Sequence, residues 1–398
     1  MTSSTVEAAE PEVAARIDAL ADGLQAQGWL SSSRVRATLH AAPRHLFAPR
    51  RGWCAPDGPG SRRTIDRDTD AAGWWEAVYS DASIVTQAAD GAADPAAGKD
   101  EATSSLSSPG AVVAFLELLD ALPGERVLEI GTGTGWTAAL LTALGAEVTT
   151  VEIDPALASG ARERLARAGV EAAVITGEGA DGAPERAPFD GVHATCAVNH
   201  VPYAWVEQTR PGGRIVAPWV PEFGDGHKLL LTATGDGRAI GPLSGTANYM
   251  LLRAHRTRLR LPDDLGGATE TGTRLDPRRV VSDSYGADAA IAGMLPDVQG
   301  GSRTRGGAFE LRLADVAATS WALVRRTSGP EHHVLQAGPR RLWDEVAHAY
   351  LRWVSWGRPA RSRFGVTADQ QGQVLWLDTP TNIITPEPPR PCREPSQG

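Results

Sequence analysis

The residues best suited to chemistry lie in VLEIGTGTGW, residues 127–136. An apolar run passes into three glycines and then into a helical pattern. Glycine lets the backbone turn sharply and lets a ligand lie close against it. The spacing is Gly131-x-Gly133-x-Gly135. Trp136 stands where the third glycine of GxGxxG would be, and no Gly-Lys-Ser/Thr follows, so the loop is neither the dinucleotide fingerprint nor a P-loop. Glu129 precedes the loop and Glu152 ends the next strand pattern, EVTTV (147–151). A carboxylate at that second place can accept both ribose hydroxyls of a nucleoside ligand. A glycine-rich turn of another α/β fold and a nicotinamide enzyme are the competing readings.

Other chemistry-bearing residues are sparse. Cys54, Cys196 and Cys392 are far apart, which argues against a disulfide scaffold or a zinc module. Cys196 reads as a small buried hydrophobe and not as a nucleophile. His332-His333 has no carboxylate or Cys at ligand spacing, so exposure is expected and no metal is. The net charge of -9 supplies no global field for a polyanion and disfavours nucleic acid. Lys99 and Lys228 are the only lysines, a choice that reads mostly as coding bias. No apolar run is long enough to span a bilayer, and MTSSTVEAAEPEVAAR has no apolar core of a signal peptide. A reducing cytoplasm is the expected compartment.

Elements must position these residues. At 398 residues the chain exceeds one core. Residues 11–28 and 33–42 carry helix patterns. Residues 48–69, rich in Gly, Pro and Arg, read as loop, and residues 88–104 read as a flexible, low-complexity surface insertion. Ser108-Pro109 opens a helix running to about residue 121. Strands at 126–130, 147–151, 172–176, 191–196 and 214–220 alternate with helices at 136–144, 155–168 and 202–209, and Pro211-Gly212-Gly213 reads as a turn. Strands separated by helices imply a parallel sheet with helices on both faces. Residues 228–234 and 238–240 read as an antiparallel hairpin. Beyond residue 245 this rhythm stops, and one helix is clear, at 340–356. Trp343, Val346, Tyr350 and Trp353 fall on one face of it and should pack inward. Four segments are expected: an N-terminal helical segment with the insertion (1–103), a Rossmann-like domain (104–244), a C-terminal α+β domain (245–380), and a Pro-rich disordered tail (381–398).

The E-x-G-x-G-x-G loop with a downstream acid resembles class I S-adenosylmethionine methyltransferases. From about residue 10 to 222 the chain resembles protein-L-isoaspartate O-methyltransferases. The matching pieces are RVRATLHAAPRHLFAP (34–49), YSD (79–81), SLSSP (105–109), VLEIGTGTGWTAALL (127–141), VEID (151–154), APFDGVHATCAV (187–198) and VEQTRPGGRIVAP (206–218). The resemblance implies a cofactor set of Glu129, Gly131, Thr132, Gly133, Gly135, Trp136, Glu152, Ile153, Gly177 and Glu178. Glu178 matches the acid that contacts adenine, with Asp181 as its rival. Trp136, where the family has Tyr, packs at the cofactor mouth or in the core. Ser107 matches the active-site serine, with helix capping as its plain alternative. Ser105 and the loop Ala197-Val198-Asn199-His200 match substrate-contacting positions.

The segments at 197–213 and 341–367 resemble actinobacterial homologues that methylate an Asp in lanthipeptide, lasso-peptide or graspetide precursors. That resemblance implies esterification of a peptide aspartate, then loss of methanol as the backbone amide closes an aspartimide. Repair of L-isoaspartate in damaged proteins is the alternative. RNA base methylation would need a basic groove with stacking aromatics, and a module that has lost its cofactor would not retain this loop. A peptide partner is expected, and neither nucleic acid nor membrane.

Overall fold

The computed structural model describes residues 10–56, 61–257, 259, 261–262 and 267–386. Residues 1–9, Cys392 and residues 387–398 of the expected tail lie outside the described residues. The chain forms two compact units, Met1–Cys196 with Ala204–Ala217, and Ala197–Tyr203 with Pro218–Gly398.

Unit 1 opens with α1 (Glu10–Ala26) and α2 (Ser33–Ala41), which pack on each other. Ile17, Leu20 and Leu24 of α1 are buried, as their spacing requires. Next come β1 (Arg51–Pro56), β2 (Arg63–Asp66), α3 (Ala71–Val78), β3 (Ala82–Ala88) and β4 (Ala102–Leu106). The four strands form an antiparallel sheet in the order β2-β1-β3-β4.

Two expectations are corrected here. The stretch 48–69 contains β1 and β2, because Trp53 and Cys54 pair across to Val85 and Ile84 and bury Cys54 and Ile65. Pairing with distant partners overrides the loop-like local composition. The stretch 88–104 is ordered. Asp94 caps the N–H of Ala96, Thr64 donates to the Ala96 carbonyl, and Ala96 is buried. Gly98, at φ +62°, lies so close to Trp53 that a Cβ would come within 2.5 Å of the indole.

The second half of unit 1 runs α4 (Pro109–Leu119), β5 (Arg126–Ile130), α5 (Trp136–Ala143), β6 (Glu147–Glu152), α6 (Pro155–Arg167), β7 (Ala173–Thr176), β8 (Phe189–Ala194), α7 (Tyr203–Glu207) and β9 (Thr209–Trp219), of which Tyr203 and residues 218–219 belong to unit 2. The sheet order is β9-β8-β5-β6-β7, all parallel. The order reverses between β5 and β8, and open α/β sheets bind ligands at that switch point, beyond the carboxyl ends of the strands. Pro211-Gly212-Gly213 is an irregularity inside β9, where the register against β8 shifts.

Unit 2 contains β10 (His227–Ala233), β11 (Ala239–Thr246), β12 (Thr269–Thr273), α8 (Pro277–Ser282), α9 (Tyr285–Met294), β13 (Val298–Arg305), β14 (Ala308–Asp315), β15 (Trp321–Arg325), β16 (His332–Ala337), α10 (Leu342–Ser355), β17 (Phe364–Asp369) and β18 (Gly372–Leu377). Strands β18-β17-β11-β10 pair antiparallel, and β12-β16-β15-β14-β13 form a second antiparallel sheet. Trp343, Val346, Tyr350 and Trp353 are buried as α10 packs on α9, β14 and β15. His332 in β16 is buried at 5% exposure, against the expectation; only His333 is exposed. Residue 244, the expected end of the Rossmann-like domain, lies within β11 of unit 2.

Candidate active site

The glycine loop joins β5 to α5 at the carboxyl end of the parallel sheet. Gly131, Gly133 and Gly135 have φ of +92°, +52° and +90°, a region that other residues rarely adopt. The Gly131 and Thr132 N–H groups donate to the Val151 carbonyl at 2.8 and 3.3 Å, binding the loop to β6. A Cβ on Gly131 would come 2.6 Å from the Thr195 hydroxyl, which donates to the carbonyls of Ile130 and Gly131. Thr195, at the end of β8, thus closes the switch point from the other side. Gly135 meets Leu165 and Ala161 of α6, so its bareness serves helix packing. Trp136 is 2% exposed; its indole N–H donates to the Ala42 carbonyl at 3.0 Å, and the Arg44 guanidinium lies 5.2 Å from its ring centroid.

The acids divide by environment. Glu152, at the tip of β6, accepts the Gly133 N–H at 2.8 Å and the Asp154 N–H at 3.1 Å, one on each oxygen. These two amides orient the Glu152 carboxylate. Glu129 is fully buried. One of its oxygens accepts the Thr150 hydroxyl at 2.5 Å, and Thr150 also meets the Thr132 hydroxyl at 2.6 Å. The other, Oε1, has no hydrogen-bond partner. Burial, reinforced by the Glu152 charge, pushes Glu129 up to about 8. At neutral pH it is therefore an uncharged acid. Gly177 follows β7 and donates to the Glu152 carbonyl at 3.0 Å. Glu178 caps a short turn, accepting the Ala180 N–H at 3.4 Å, and Asp181 is exposed. Ile153 is half-buried between Glu152 and Asp154. Cys196 is half-buried, not buried as expected; desolvation and the charges of Glu152 and Glu178 push its thiol up to about 12, which makes it a poor nucleophile.

The serine segment runs beside the glycine loop. A Cβ on Gly133 would sit 3.7 Å from both the Ser104 hydroxyl and the Ser105 carbonyl. Ser105 pairs with Val85 across the β3–β4 hairpin, and the half-buried Ser107 links β4 to α4. Ser108 occupies the cap position of α4 without a side-chain capping bond, whereas Asp81 accepts the Gly110 N–H at 2.7 Å. The segment is secured by Arg44, 1% exposed, which donates to the carbonyls of Val78 (2.6 Å), Ala82 (2.7 Å) and Ser107 (2.9 Å). Arg44, Asp81 and Thr195 all lie within segments quoted above for their resemblance, but nothing in residue type or spacing singles them out.

Ala197, Val198, Asn199 and His200 belong to unit 2. Ala197 exchanges main-chain bonds with Met250 and Leu252, and Val198 with Pro218 and Val220. The Asn199 carbonyl accepts the Trp219 indole N–H and the Gln373 amide. Main-chain groups expected to meet a peptide are therefore already paired at Ala197 and Val198, leaving the exposed His200 as the open side chain of this run. His200 stacks on His255 at 4.1 Å between centroids. Among the described residues no cluster of His, Cys, Asp or Glu could hold a metal ion, and no helix is long and apolar enough to cross a membrane.

Residues 64–237 match the family model described as protein-L-isoaspartate(D-aspartate) O-methyltransferase. The protein-L-isoaspartate O-methyltransferase of Methylorubrum populi is 41% identical over 147 residues, which is 36% of this chain and 69% of that protein. That of Methanoculleus marisnigri is 33% identical over 230 residues, 58% of this chain and 87% of the relative. A solved protein-L-isoaspartate O-methyltransferase structure aligns over 91% of this chain and 100% of its own, with a TM-score of 0.52 and 18% identity, a likeness of fold.

Proposed function

The chain belongs to the protein-L-isoaspartate O-methyltransferase family, S-adenosylmethionine-dependent carboxyl methyltransferases of class I fold, and from that premise we propose that its acceptor is an L-isoaspartyl carboxylate in a peptide or protein. One observation supports this most: the glycine loop, the oriented Glu152 carboxylate and the Ser104–Ser105 segment meet in one corner of unit 1.

The residues present suit the cosubstrate. The Glu152 carboxylate lies beside the glycine loop, Gly131 and Gly133 of that loop are half-buried, and Glu129 Oε1 is a buried polar atom without a partner. When bound, S-adenosylmethionine supplies a methyl group already activated on sulfur. Gly131, Thr132, Gly133 and Glu152 would hold it, with Ile153, Gly177 and Glu178 beyond β6 and β7. An acceptor carboxylate with a reference pKa of about 4 is already ionised at neutral pH, so no general base is needed. An O–C bond forms as the C–S bond breaks, giving a methyl ester and a thioether with no proton transfer. The protein must align the carboxylate and exclude water, a contribution of roughly 7–11 kcal/mol in well-oriented systems. The Ser107 hydroxyl, on a segment held by Arg44, donates to that carboxylate and orients it.

A second reading places the acceptor Asp in a constrained ribosomal peptide, with aspartimide as the final product. It is supported by residues 238–398 lying outside the family-model match and by the likeness of segments 197–213 and 341–367 to the peptide-modifying homologues. In either reading residues 104–244 carry the chemistry, residues 245–380 serve peptide selection, and the setting is cytoplasmic. The test offers S-adenosylmethionine with three peptides of one sequence: linear isoaspartyl, linear aspartyl and macrocyclic aspartyl. Methylation of the first supports repair; methylation of the third alone, followed by loss of methanol, supports the second reading. Transfer to none of them removes both.

A further inference from the structure

The β3–β4 hairpin reaches both loops assigned above to the cosubstrate. Ser104 and Ser105 lie against Gly133. At the end of β3, the Gln87 side-chain amide donates to Asp154 Oδ2 at 2.9 Å. Asp154 divides its carboxylate: Oδ1 caps α6 by accepting the N–H groups of Ala156 and Leu157, and Oδ2 takes Gln87. The Asp154 N–H in turn donates to Glu152 Oε1 at 3.1 Å. Gln87 is thereby two hydrogen bonds from the ribose-binding acid. Its own oxygen accepts the Thr103 hydroxyl at 3.0 Å, and that hydroxyl accepts the Asp90 N–H at 3.1 Å. Residues 88–104 are thus tied on one side to the β6–α6 turn. On the other they rest on Trp53 and Thr64 and are paired through Arg51 and Asp94.

We propose that residues 88–104 form a strap that retains the cosubstrate and its thioether product, and that Gln87 is the positioning residue that latches it to Asp154. The proposal rests on the methyltransferase reading. A helix cap alone needs only one oxygen of Asp154; the second oxygen and the buried Gln87, 8% exposed, have no use in capping. A neutral amide donating to a carboxylate makes a charge-assisted bond, whose loss costs about tenfold in an equilibrium it controls.

The test measures S-adenosylhomocysteine binding by calorimetry and stopped flow in wild type, Gln87→Leu and Asp154→Ser; the serine keeps the helix cap and removes the latch oxygen. Both variants should bind about tenfold more weakly through faster dissociation, with KM for the cosubstrate rising far more than kcat falls. In wild type, amide hydrogen exchange across residues 89–101 should slow when S-adenosylhomocysteine is added. Unchanged exchange there, or variant affinities within about twofold of wild type, overturns the strap and leaves the methyltransferase reading standing. Absence of any binding to the folded wild type overturns both. If Gln87→Leu fails to fold, Asp154→Ser and the wild-type exchange decide.

Discussion

Arg44 Nη2 donates to the carbonyl oxygen of Ser107 at 2.9 Å, so a buried guanidinium fixes the backbone from which the proposed substrate-orienting hydroxyl projects. The same group holds the Val78 and Ala82 carbonyls, joining the end of α3 and the start of β3 to the serine segment. A planar fork of five donors can serve several divergent acceptors; an ammonium cannot span them. Arg44→Lys is expected to cost roughly 2–4 kcal/mol in urea unfolding, with turnover falling further than cosubstrate affinity. Wild-type stability would mean that these carbonyls find other donors.

Ser107→Ala tests the hydroxyl itself. The cosubstrate loop makes no demand on it, whereas an acceptor carboxylate in the transition state does. The variant should lose about tenfold or more in kcat while S-adenosylhomocysteine affinity holds. Equal kinetics in the two proteins would leave Ser107 a linker between β4 and α4.

Glu152→Gln keeps the shape of the side chain but replaces one acceptor with a donor. Both Glu152 oxygens accept a backbone N–H, from Gly133 and Asp154, so the amide must turn an N–H toward one of them. Cosubstrate affinity should fall about ten- to a hundredfold in calorimetry, with the circular-dichroism spectrum kept. Tight binding by the variant would remove Glu152 from the ribose site.

The parallel half of unit 1 was legible because β5, β6 and β7 are local apolar runs closed by glycine or an acid. Expected and observed bounds for β5 coincide at 126–130, and those for β6 and β7 differ by one residue. Among the antiparallel strands the β10–β11 hairpin was legible, expected at 228–234 and 238–240, and those of unit 1 were not. β1 and β2 exist because Trp53, Cys54 and Ile65 find partners far along the chain, and the order of 88–104 depends on Trp53 lying beneath Gly98. The same cause hid β12 to β16, where only α10 carried a one-sided apolar stripe. In the site, the glycines and Glu152 announce themselves by type and spacing. Arg44, Gln87 and Thr195 act through contacts with backbone or with residues distant in sequence, which no local pattern encodes.

Glu129 makes stability depend on pH. Its folded-state pKa is raised from 4.5 to about 8, chiefly by burial. Below about pH 4.5 the carboxyl is protonated whether folded or not, and its contribution is intact. Between that pH and about 8 the unfolded chain releases a proton that the folded one keeps, so stability drains by at most about 1.4 kcal/mol per pH unit. Glu129→Gln stays neutral and retains an acceptor for Thr150. Urea unfolding at about pH 5 and about pH 8 should show the Gln variant gaining on wild type at the higher pH. A constant difference between the proteins would place the Glu129 titration outside that window.

Cutting the chain after residue 244 is the obvious way to ask whether residues 245–380 choose the peptide, but the pairings within unit 2 argue against that variant. The cut falls inside β11 and removes β17, which pairs with it from Ala239 through Pro242. It also removes Met250 and Leu252, the main-chain partners of Ala197. A bared edge strand and unpaired buried amides favour aggregation. The truncated protein should therefore be insoluble or lack a cooperative melt in circular dichroism. His200→Ala asks the specificity question without that damage, since the side chain is exposed and its losses are the stack on His255 and the 2.7 Å hydrogen bond with Asn199 Oδ1. KM for the accepted peptide should rise about three- to tenfold while kcat and cosubstrate affinity change little. A soluble, cooperatively folding truncation with an unraised peptide KM would refute the structural part of this expectation. It would also take residues 245–380 out of recognition.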